Sequence, residues 1–121
     1  MYKRQHYSDY TGTFETNPKS EAYVKEPTPK NYYQGCLWGG QIKNVIPMMK
    51  TLKERVDKDY ENDIIAVWHD ESHLNKYLIE NSSMVHTYGP EYAYPELFKD
   101  QCTFNPKIVH LAKDNSEYQV S

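Results

Sequence analysis

The sequence contains little cysteine, little glycine and no long apolar run. Its 121 residues include 2 Cys and 5 Gly, and the mean hydropathy is −0.91. Cys36 and Cys102 form no CxxC pair, which argues against a zinc knuckle or a disulfide framework. We expect two free, buried thiols, with one long-range disulfide as the alternative. No apolar stretch reaches the roughly 18–20 residues that span a bilayer, so we predict no transmembrane segment in this chain.

Charge of one sign is not in large excess either. Lys and Arg number 14 and Asp and Glu number 17, which gives a net charge of −3. Nucleic-acid binding usually needs a basic patch, so this balance argues against a nucleic-acid partner. The length fits one small domain. Aromatic residues are plentiful, at 12 Tyr, 2 Trp and 3 Phe, which favours a folded, polar domain with the aromatic surface that sugar sites often have.

The order of predicted helices and strands is mixed, so we predict an α/β fold. Asn44 is the expected N-cap of the first helix, which puts Pro47 at the third helical position, where a missing N–H is tolerated. The predicted strands are residues 22–24, 32–38, 63–68, 84–86 and 107–111, and the predicted helices are residues 45–58 and 72–80. Residues 88–98 are predicted to form an aromatic loop broken by proline.

The first five residues, Met-Tyr-Lys-Arg-Gln, match the translation of a transposase adapter used in shotgun libraries. We interpret residues 1–5 as a non-native leader and expect native protein from about His6 onward. A genuine start at Met1 is the alternative.

Three polar side chains, His69, Asp70 and Glu71, stand where a predicted strand ends and a predicted helix begins. Ligands of open α/β sheets bind outside the carboxyl ends of the strands, and helix N-termini favour anions. We therefore expect these side chains to face a cleft. Trp68 beside paired carboxylates is typical of a sugar site. The alternative is a helix start with ordinary solvated acids.

A metal site is a competing interpretation of the same run. His69 and His73 are four residues apart and would share one face of a helix that contained both. The zincin signature needs Glu directly after the first His, where Asp70 stands. With a helix that begins near Ser72, His69 lies outside it. We therefore predict no metal site here and a hydrogen-bonded structural role for His73.

The run from Trp68 to Leu78, Trp-His-Asp-Glu-Ser-His-Leu-Asn-Lys-Tyr-Leu, resembles the signature of glycosyltransferase family 6. This family includes the histo-blood group A and B transferases and the α-1,3-galactosyltransferase. Residues 32–40 resemble its Tyr-Tyr…Gly-Gly segment, residues 20–23 and 90–92 also fit, and residues 34–38 and 93–95 look like the bacterial branch. The resemblance implies that residues 6–121 are the C-terminal part of a GT-A catalytic domain with a mixed sheet, cytoplasmic if bacterial. It also implies retaining α-1,3 transfer of Gal or GalNAc from UDP-Gal or UDP-GalNAc to a galactoside or fucosylated glycan acceptor.

The resemblance assigns the central roles to the run that starts at Trp68. Glu71 matches the catalytic carboxylate below the anomeric carbon, which acts as nucleophile or stabilises an oxocarbenium-like centre, and it also borders the acceptor. Asp70 matches the acid that holds the hydroxyls of the donor sugar, with His69 beside it. Trp68 matches the wall against which the acceptor packs.

Further roles that the resemblance implies fall outside this run. Gln34, Gly35 and Cys36 match the donor-binding segment, in which Gln34 and Cys36 take the positions that distinguish galactose from N-acetylgalactosamine by the room they leave. Lys113 matches a lysine that neutralises the departing diphosphate. His6 matches an acceptor-binding histidine. Glu96 follows Pro95, which stands where the vertebrate enzymes have an acceptor-binding Asp, so we expect Glu96 to contact the acceptor.

Cofactor use depends on the other half of the family's domain. That half carries Asp-X-Asp, or Asn-X-Asn in bacterial members that need no metal, and we expect this motif to lie outside the present sequence. We therefore predict no cofactor in this segment, and Mn²⁺ only if a missing N-terminal half carries Asp-X-Asp. We expect a truncated chain that is marginally stable and inactive alone. The alternatives are a non-catalytic carbohydrate-binding module and, less favoured, a zinc metallohydrolase built on His69 and His73.

Overall fold

Two helices and a short parallel sheet make up the regular structure of the chain. The computed structural model describes residues 12–25, 31–114 and 116. Within these residues, α1 is Ile42–Glu61, α2 is His69–Glu80, β1 is Tyr94–Pro95 and β2 is Val109–His110, and three 3₁₀ helices are Ser82–Met84, Pro90–Tyr92 and Glu96–Gln101. The α/β class is thereby confirmed. None of the described helices combines the length and the apolar character that a membrane crossing requires.

Helix α1 begins three residues earlier than predicted. Gln41 is its N-cap, and the Gln41 carbonyl accepts from the backbone N–H groups of both Asn44 and Val45, at 2.9 and 3.0 Å. The prediction that Asn44 caps the helix was therefore wrong, because the first helical turn closes on Gln41. Pro47 lies inside the helix, where its lack of an N–H removes one intrahelical hydrogen bond. At the other end, the Asn62 side-chain amide donates to the Lys58 carbonyl at 2.7 Å.

Helix α2 also begins three residues earlier than predicted and includes His69. The backbone N–H of Trp68 donates to the Ser72 hydroxyl at 2.9 Å, and the N–H of His69 donates to the Ala66 carbonyl at 2.9 Å. His69 has φ +50°, which is the left-handed region and is uncommon for a residue with a side chain. Asp70 and Glu71 stand in the first turn, where the helix dipole stabilises negative charge.

Three of the predicted strands were wrong. Residues 32–38 and 63–68 form turns and irregular structure, and Met84 ends a 3₁₀ helix instead of opening a strand. The apolar run before α2 pairs with no strand of the described part. Its side chains are accordingly in water, with Ile65 66% exposed and Val67 45% exposed, and only Ala66 is buried. An apolar run forms a buried strand only where a neighbouring strand takes its backbone hydrogen bonds.

The sheet that does form lies in the C-terminal third. Strand β2 confirms part of the strand predicted at residues 107–111, and β1 lies within the predicted aromatic loop. The two strands are parallel, with Tyr94 opposite Val109 and Pro95 opposite His110. The strand predicted at residues 22–24 is reduced to a single parallel bridge between Glu15 and Tyr23.

The buried interior is as polar as it is apolar. The buried apolar residues are Ala22, Met48, Ala66, Leu74, Ala93 and Tyr94, and the buried polar ones are Glu15, Ser20, Asp59, Ser72, His73 and Asn75. Asn75 and Asp59 are the largest side chains that are almost wholly removed from solvent. Hydrogen-bonded side chains therefore hold the described part together as much as apolar packing does, in keeping with the low mean hydropathy.

The N-terminal segment, residues 12–25, is fastened to both helices by such bonds. Glu15 accepts from the N–H of Val67 at 2.7 Å, and the Lys76 ammonium donates to the Tyr23 carbonyl at 2.7 Å. Asp59 of α1 accepts from the Ser20 hydroxyl at 2.5 Å and from the N–H of Glu21 at 2.7 Å. These contacts fix α1, α2 and the segment relative to one another, and so set the position of the first turn of α2.

Candidate active site

The Glu71 carboxylate in the first turn of α2 is held by two hydrogen bonds. Its side chain is partly buried, and each oxygen accepts one hydrogen bond. The Tyr32 hydroxyl donates to Oε1 at 2.5 Å, and the backbone N–H of Gly35 donates to Oε2 at 2.7 Å. A carboxylate has about four acceptor positions, so roughly two remain for another molecule. The carboxylate is therefore held in one place by neutral donors and no cation neutralises it within the described part.

The segment that meets Glu71 is held on α2 by Asn75. The Asn75 side-chain oxygen accepts from the Tyr33 N–H at 2.7 Å, and its amide nitrogen donates to the Tyr33 carbonyl at 2.8 Å and to the Glu71 carbonyl at 2.9 Å. This side chain is fully buried. Asn75 thus offers the irregular backbone at Tyr33 the same pair of hydrogen bonds that a neighbouring strand would offer.

Gly35 is the point of closest approach between the two segments. A Cβ atom built on Gly35 would lie 3.2 Å from Glu71 Oε2 and 3.5 Å from the Glu71 Cβ. A side chain at position 35 would therefore push the carboxylate away or break the bond to the N–H of this residue.

Cys36 follows directly and faces the second strand. Its Sγ lies 3.7 Å from His110 Nε2, so β2 contributes to the same region. Cys36 is exposed as a residue, but partial desolvation of its thiol raises the pKa above its ordinary value, and the nearby Glu71 charge raises it as well. Both cysteines are free, as predicted, but Cys36 is exposed and Cys102 only partly buried, so the prediction of two buried thiols was wrong.

The other residues of the predicted site at the start of α2 point into solvent. Trp68, His69 and Asp70 are all exposed, with Trp68 at 50%. Within the described residues, no hydrogen bond or ion pair joins their side chains to Glu71. The structure therefore brings Gly35 and Cys36 to Glu71, and leaves these three on the open side of the same turn.

Gln34 lines a separate, mostly apolar cavity of about 900 Å³. The walls of this cavity come from residues 33–34 and 37–41, α1, α2 and the aromatic stretch near Tyr88 and Tyr92. The Gln34 Oε1 atom is buried and has no hydrogen-bond partner in the described structure. The cavity does not include Glu71, so it lies beside the carboxylate rather than around it.

Two further predicted residues, Glu96 and Lys113, are brought near each other by a backbone contact. Glu96, at the start of a 3₁₀ helix, accepts from the N–H of Ala112 at 2.8 Å, which brings it next to Lys113. Both side chains are exposed. In the described chain, neither makes a hydrogen bond or ion pair with Glu71. The predicted acceptor residue His6 lies outside the described residues.

The comparison with protein families decides what the chain is. A family model described as "Glycosyltransferase family 6" matches residues 2–120. The chain belongs to glycosyltransferase family 6.

Three relatives illustrate how this family 6 chain compares with longer proteins. It is 39% identical over 100 residues to the histo-blood group ABO system transferase 1 of Rattus norvegicus, covering 83% of this chain and 28% of the relative. It is 31% identical over 83 residues to the globoside alpha-1,3-N-acetylgalactosaminyltransferase 1 of Homo sapiens, and the match covers 69% of this chain and 24% of the relative. It is 28% identical over 87 residues to the O-antigen biosynthesis glycosyltransferase WbnI of Escherichia coli, and the match covers 72% of this chain and 36% of the relative. The chain thus spans about a quarter to a third of the length of these relatives.

The family 6 chain offers no metal site in its described part. No group of three or more His, Cys, Asp or Glu side chains is arranged to hold an ion there. One Asp-X-Asp triplet, Asp57-Lys58-Asp59, does occur in α1, although this motif was expected to lie outside the sequence. Asp57 pairs with Lys53, and Asp59 is buried against Ser20 and the N–H of residue 21. The triplet is therefore structural.

No hydrogen bond among the described residues involves the His73 ring, so the predicted hydrogen-bonded role is not confirmed. His73 is buried, and its Nε2 lies 3.4 Å from Asp59 Oδ2, while Nδ1 is buried with no hydrogen-bond partner in the described residues. Burial is the largest cause that lowers the pKa of His73, and the neighbouring Arg55 lowers it too, against the opposing charge of Asp59. His73 therefore faces an acid inside the protein.

Sequence reasoning missed three residues of the Glu71 region. Tyr32 and Asn75 both stand inside the motifs that were quoted, but periodicity assigned one to a strand and the other to an ordinary helix face. His110 was counted only as part of a strand. A signal did exist for Asn75, since a buried Asn in a helix needs partners outside the helix ladder.

Proposed function

We propose that this chain is the acceptor-side, C-terminal part of a retaining glycosyltransferase of GT-A fold. The proposed reaction moves Gal or GalNAc from a UDP-sugar in α-1,3 linkage to a galactoside acceptor. The observation that carries the proposal is the contact between the two family 6 motifs, in which the N–H of Gly35 donates to the Glu71 carboxylate at 2.7 Å. The name of the human relative supports α-1,3 transfer of N-acetylgalactosamine.

Glu71 is proposed as the catalytic carboxylate. Retention of configuration requires an anion on the face of the sugar opposite the leaving group, either to form a covalent intermediate or to stabilise positive charge at the anomeric carbon. The Tyr32 hydroxyl and the Gly35 N–H hold the carboxylate in one orientation before substrate arrives. Such preorganisation lowers the cost of aligning the charge in the transition state.

The neighbouring residues are proposed to bind the two sugars. Asp70 and His69 would hold hydroxyl groups of the donor sugar, and Trp68 would offer its exposed ring to the acceptor, as aromatic rings do in many sugar sites. Their exposure at the N-terminal turn of α2 leaves them free to contact a ligand.

The choice of donor is proposed to depend on Gln34 and Cys36. They flank Gly35 on either side, so both lie next to the residue that contacts Glu71. The larger acetamido group of GalNAc needs room that a large side chain at these positions would remove. Lys113 is proposed to neutralise the diphosphate as UDP leaves, and Glu96, tied to the backbone beside it, to face the acceptor.

The described residues do not fit a metal cofactor. They hold no cluster of carboxylates, imidazoles or thiols suited to an ion, and their Asp-X-Asp triplet is occupied by protein contacts. We therefore assign no step of the reaction to a metal held by this part of the chain.

The proposal is tested by a transfer assay with a matched pair of variants. UDP-GalNAc and UDP-Gal are offered with 2′-fucosyllactose to the 121-residue chain and to the longest natural open reading frame that contains it. We expect transfer by the longer protein and negligible transfer by the 121-residue chain. In the longer protein, Glu71→Gln should reduce turnover at least about a hundredfold with donor binding largely kept. Glu80→Gln, on the same helix but paired with Arg55, is the control and should leave the rate unchanged. A Glu71→Gln rate equal to that of the control would refute the role of Glu71.

A further inference from the structure

Asn75 is the side chain on which the geometry around Glu71 depends. It lies one helical turn after Glu71, is fully buried, and uses both its oxygen and its amide nitrogen. Two of its three hydrogen bonds go to the backbone of Tyr33, and the third goes to the Glu71 carbonyl. A single side chain therefore ties together the two segments that form the site.

The residue held by Asn75 stands between the two donors to the carboxylate. Tyr32 precedes Tyr33 by one residue, and Gly35 follows it by two. Tyr32 donates through its hydroxyl to one Glu71 oxygen, and Gly35 donates through its N–H to the other. Fixing the Tyr33 backbone on α2 therefore fixes both donors relative to the carboxylate.

We propose that Asn75 is a positioning residue for Glu71, acting through the Tyr33 backbone. The inference deepens the proposed function and rests on it. Asn75 itself touches neither the carboxylate nor a substrate. Its contribution is to keep the Gly35 N–H and the Tyr32 hydroxyl at hydrogen-bonding distance from Glu71, so that the charge has one orientation.

The same helix supplies a matched control. The Asn81 amide also donates to the carbonyl four residues before it, that of Tyr77, at 2.9 Å. Asn81 makes no hydrogen bond to residues 32–35 among those described. Asn75→Ala removes an asparagine side chain within α2 and Asn81→Ala removes one at the C-cap of α2, and only the first releases Tyr33.

The first measurement is amide hydrogen exchange at Gly35 in the 121-residue chain, followed by NMR. Each hydrogen bond lost contributes a factor of about 2–12 to the opening equilibrium, and Asn75→Ala removes two bonds to Tyr33. We expect exchange at Gly35 to be at least about fourfold faster in Asn75→Ala, with the amides of α1 unchanged, and no change at Gly35 in Asn81→Ala. Exchange at Gly35 that stays as in the unaltered chain would overturn the proposal.

A second pair of variants covers the case in which Asn75→Ala does not fold. Asn75→Asp keeps an oxygen for the Tyr33 N–H but donates to neither carbonyl, and Asn81→Asp is its control. Faster Gly35 exchange in Asn75→Asp alone supports the proposal. Equal acceleration of every amide in Asn75→Asp would show a general structural role and overturn it.

The second measurement is transfer by the longer protein, under conditions where circular dichroism shows each variant fully folded. Asn75→Ala should lower kcat by at least about tenfold, and Asn81→Ala should leave kcat unchanged. If Gly35 exchanges faster but kcat is unaffected, Asn75 does not position the catalytic group. If Glu71→Gln also leaves transfer unchanged, the proposed function fails, whereas the exchange result would stand by itself.

Discussion

Removal of the Asp59 carboxylate should destabilise the protein more than any change to an exposed acid. Asp59 is 2% exposed and lies near the C-terminal end of α1. It accepts from the Ser20 hydroxyl at 2.5 Å and from the N–H of Glu21 at 2.7 Å, and it faces His73 at 3.4 Å. It is the one side chain that bonds to both α2 and the N-terminal segment among the described residues of α1.

The size of the effect follows from these contacts. A hydrogen bond to a charged group contributes about 1.5–3 kcal/mol, and Asp59 accepts two of them, from the Ser20 hydroxyl and the Glu21 N–H. Ala is a better helix former than Asp, and this higher helix propensity offsets at most about 0.7 kcal/mol of the lost stability. We therefore expect Asp59→Ala to lower the free energy of unfolding by about 3–5 kcal/mol. For a urea slope of about 2 kcal/mol per molar, the unfolding midpoint falls by about 2 M.

The assay is urea denaturation followed by far-ultraviolet circular dichroism, with Asp57→Ala as the control. Asp57 stands two residues earlier on the same helix, carries the same gain in helix propensity, and pairs only with the exposed Lys53. Asp57→Ala should unfold at nearly the original midpoint. If Asp59→Ala unfolds within about 0.5 M of Asp57→Ala, the buried network does not hold the segment as described.

Two further predictions concern ionisation. Burial lowers the pKa of His73, so the unfolded chain takes up this proton at a higher pH than the folded protein does. The contribution of neutral His73 to the free energy of unfolding is therefore fully present above about pH 6.5 and decreases below it. The urea midpoint should therefore fall between about pH 7.5 and about pH 5.5, and His73→Gln should reduce that fall; an equal fall in both proteins would contradict the assignment. Because burial and then the Glu71 charge raise the pKa of Cys36, iodoacetamide near pH 8 should alkylate Cys36 more slowly than glutathione, by mass spectrometry. A Cys36 rate at or above that of glutathione would show that the thiol is not perturbed in this way.

Local patterns in the sequence predicted the helices well and the strands poorly. The predicted helices, residues 45–58 and 72–80, located α1 and α2, each within three residues at the N-terminus. Helix formation depends on neighbours within one turn, so the sequence carries that information. Residues 63–68 have the composition of a buried strand, but a strand needs a partner. The pattern contains no information about whether one is present.

The candidate site was predictable in part for the same reason. The motif around Glu71 and the segment around Gly35 were each identified from residue types. The structure adds the way they meet, which depends on one buried amide and three backbone groups 36–42 residues away in sequence. Likewise, the contacts of Asp59 with Ser20 and His73 join three distant parts of the chain, and no periodicity indicates them.

The attachment of residues 12–25 has a consequence for the order of folding. The side-chain bonds that fasten this segment join residues 38–53 apart in the sequence. Closing loops of that length costs conformational entropy before the hydrogen bonds can form. These bonds also need both helices to be packed side by side already, because their partners lie on or beside α1 and α2. We expect the helical hairpin to assemble early and the segment to dock as the last step. The same segment should then be the first to detach when the protein begins to open.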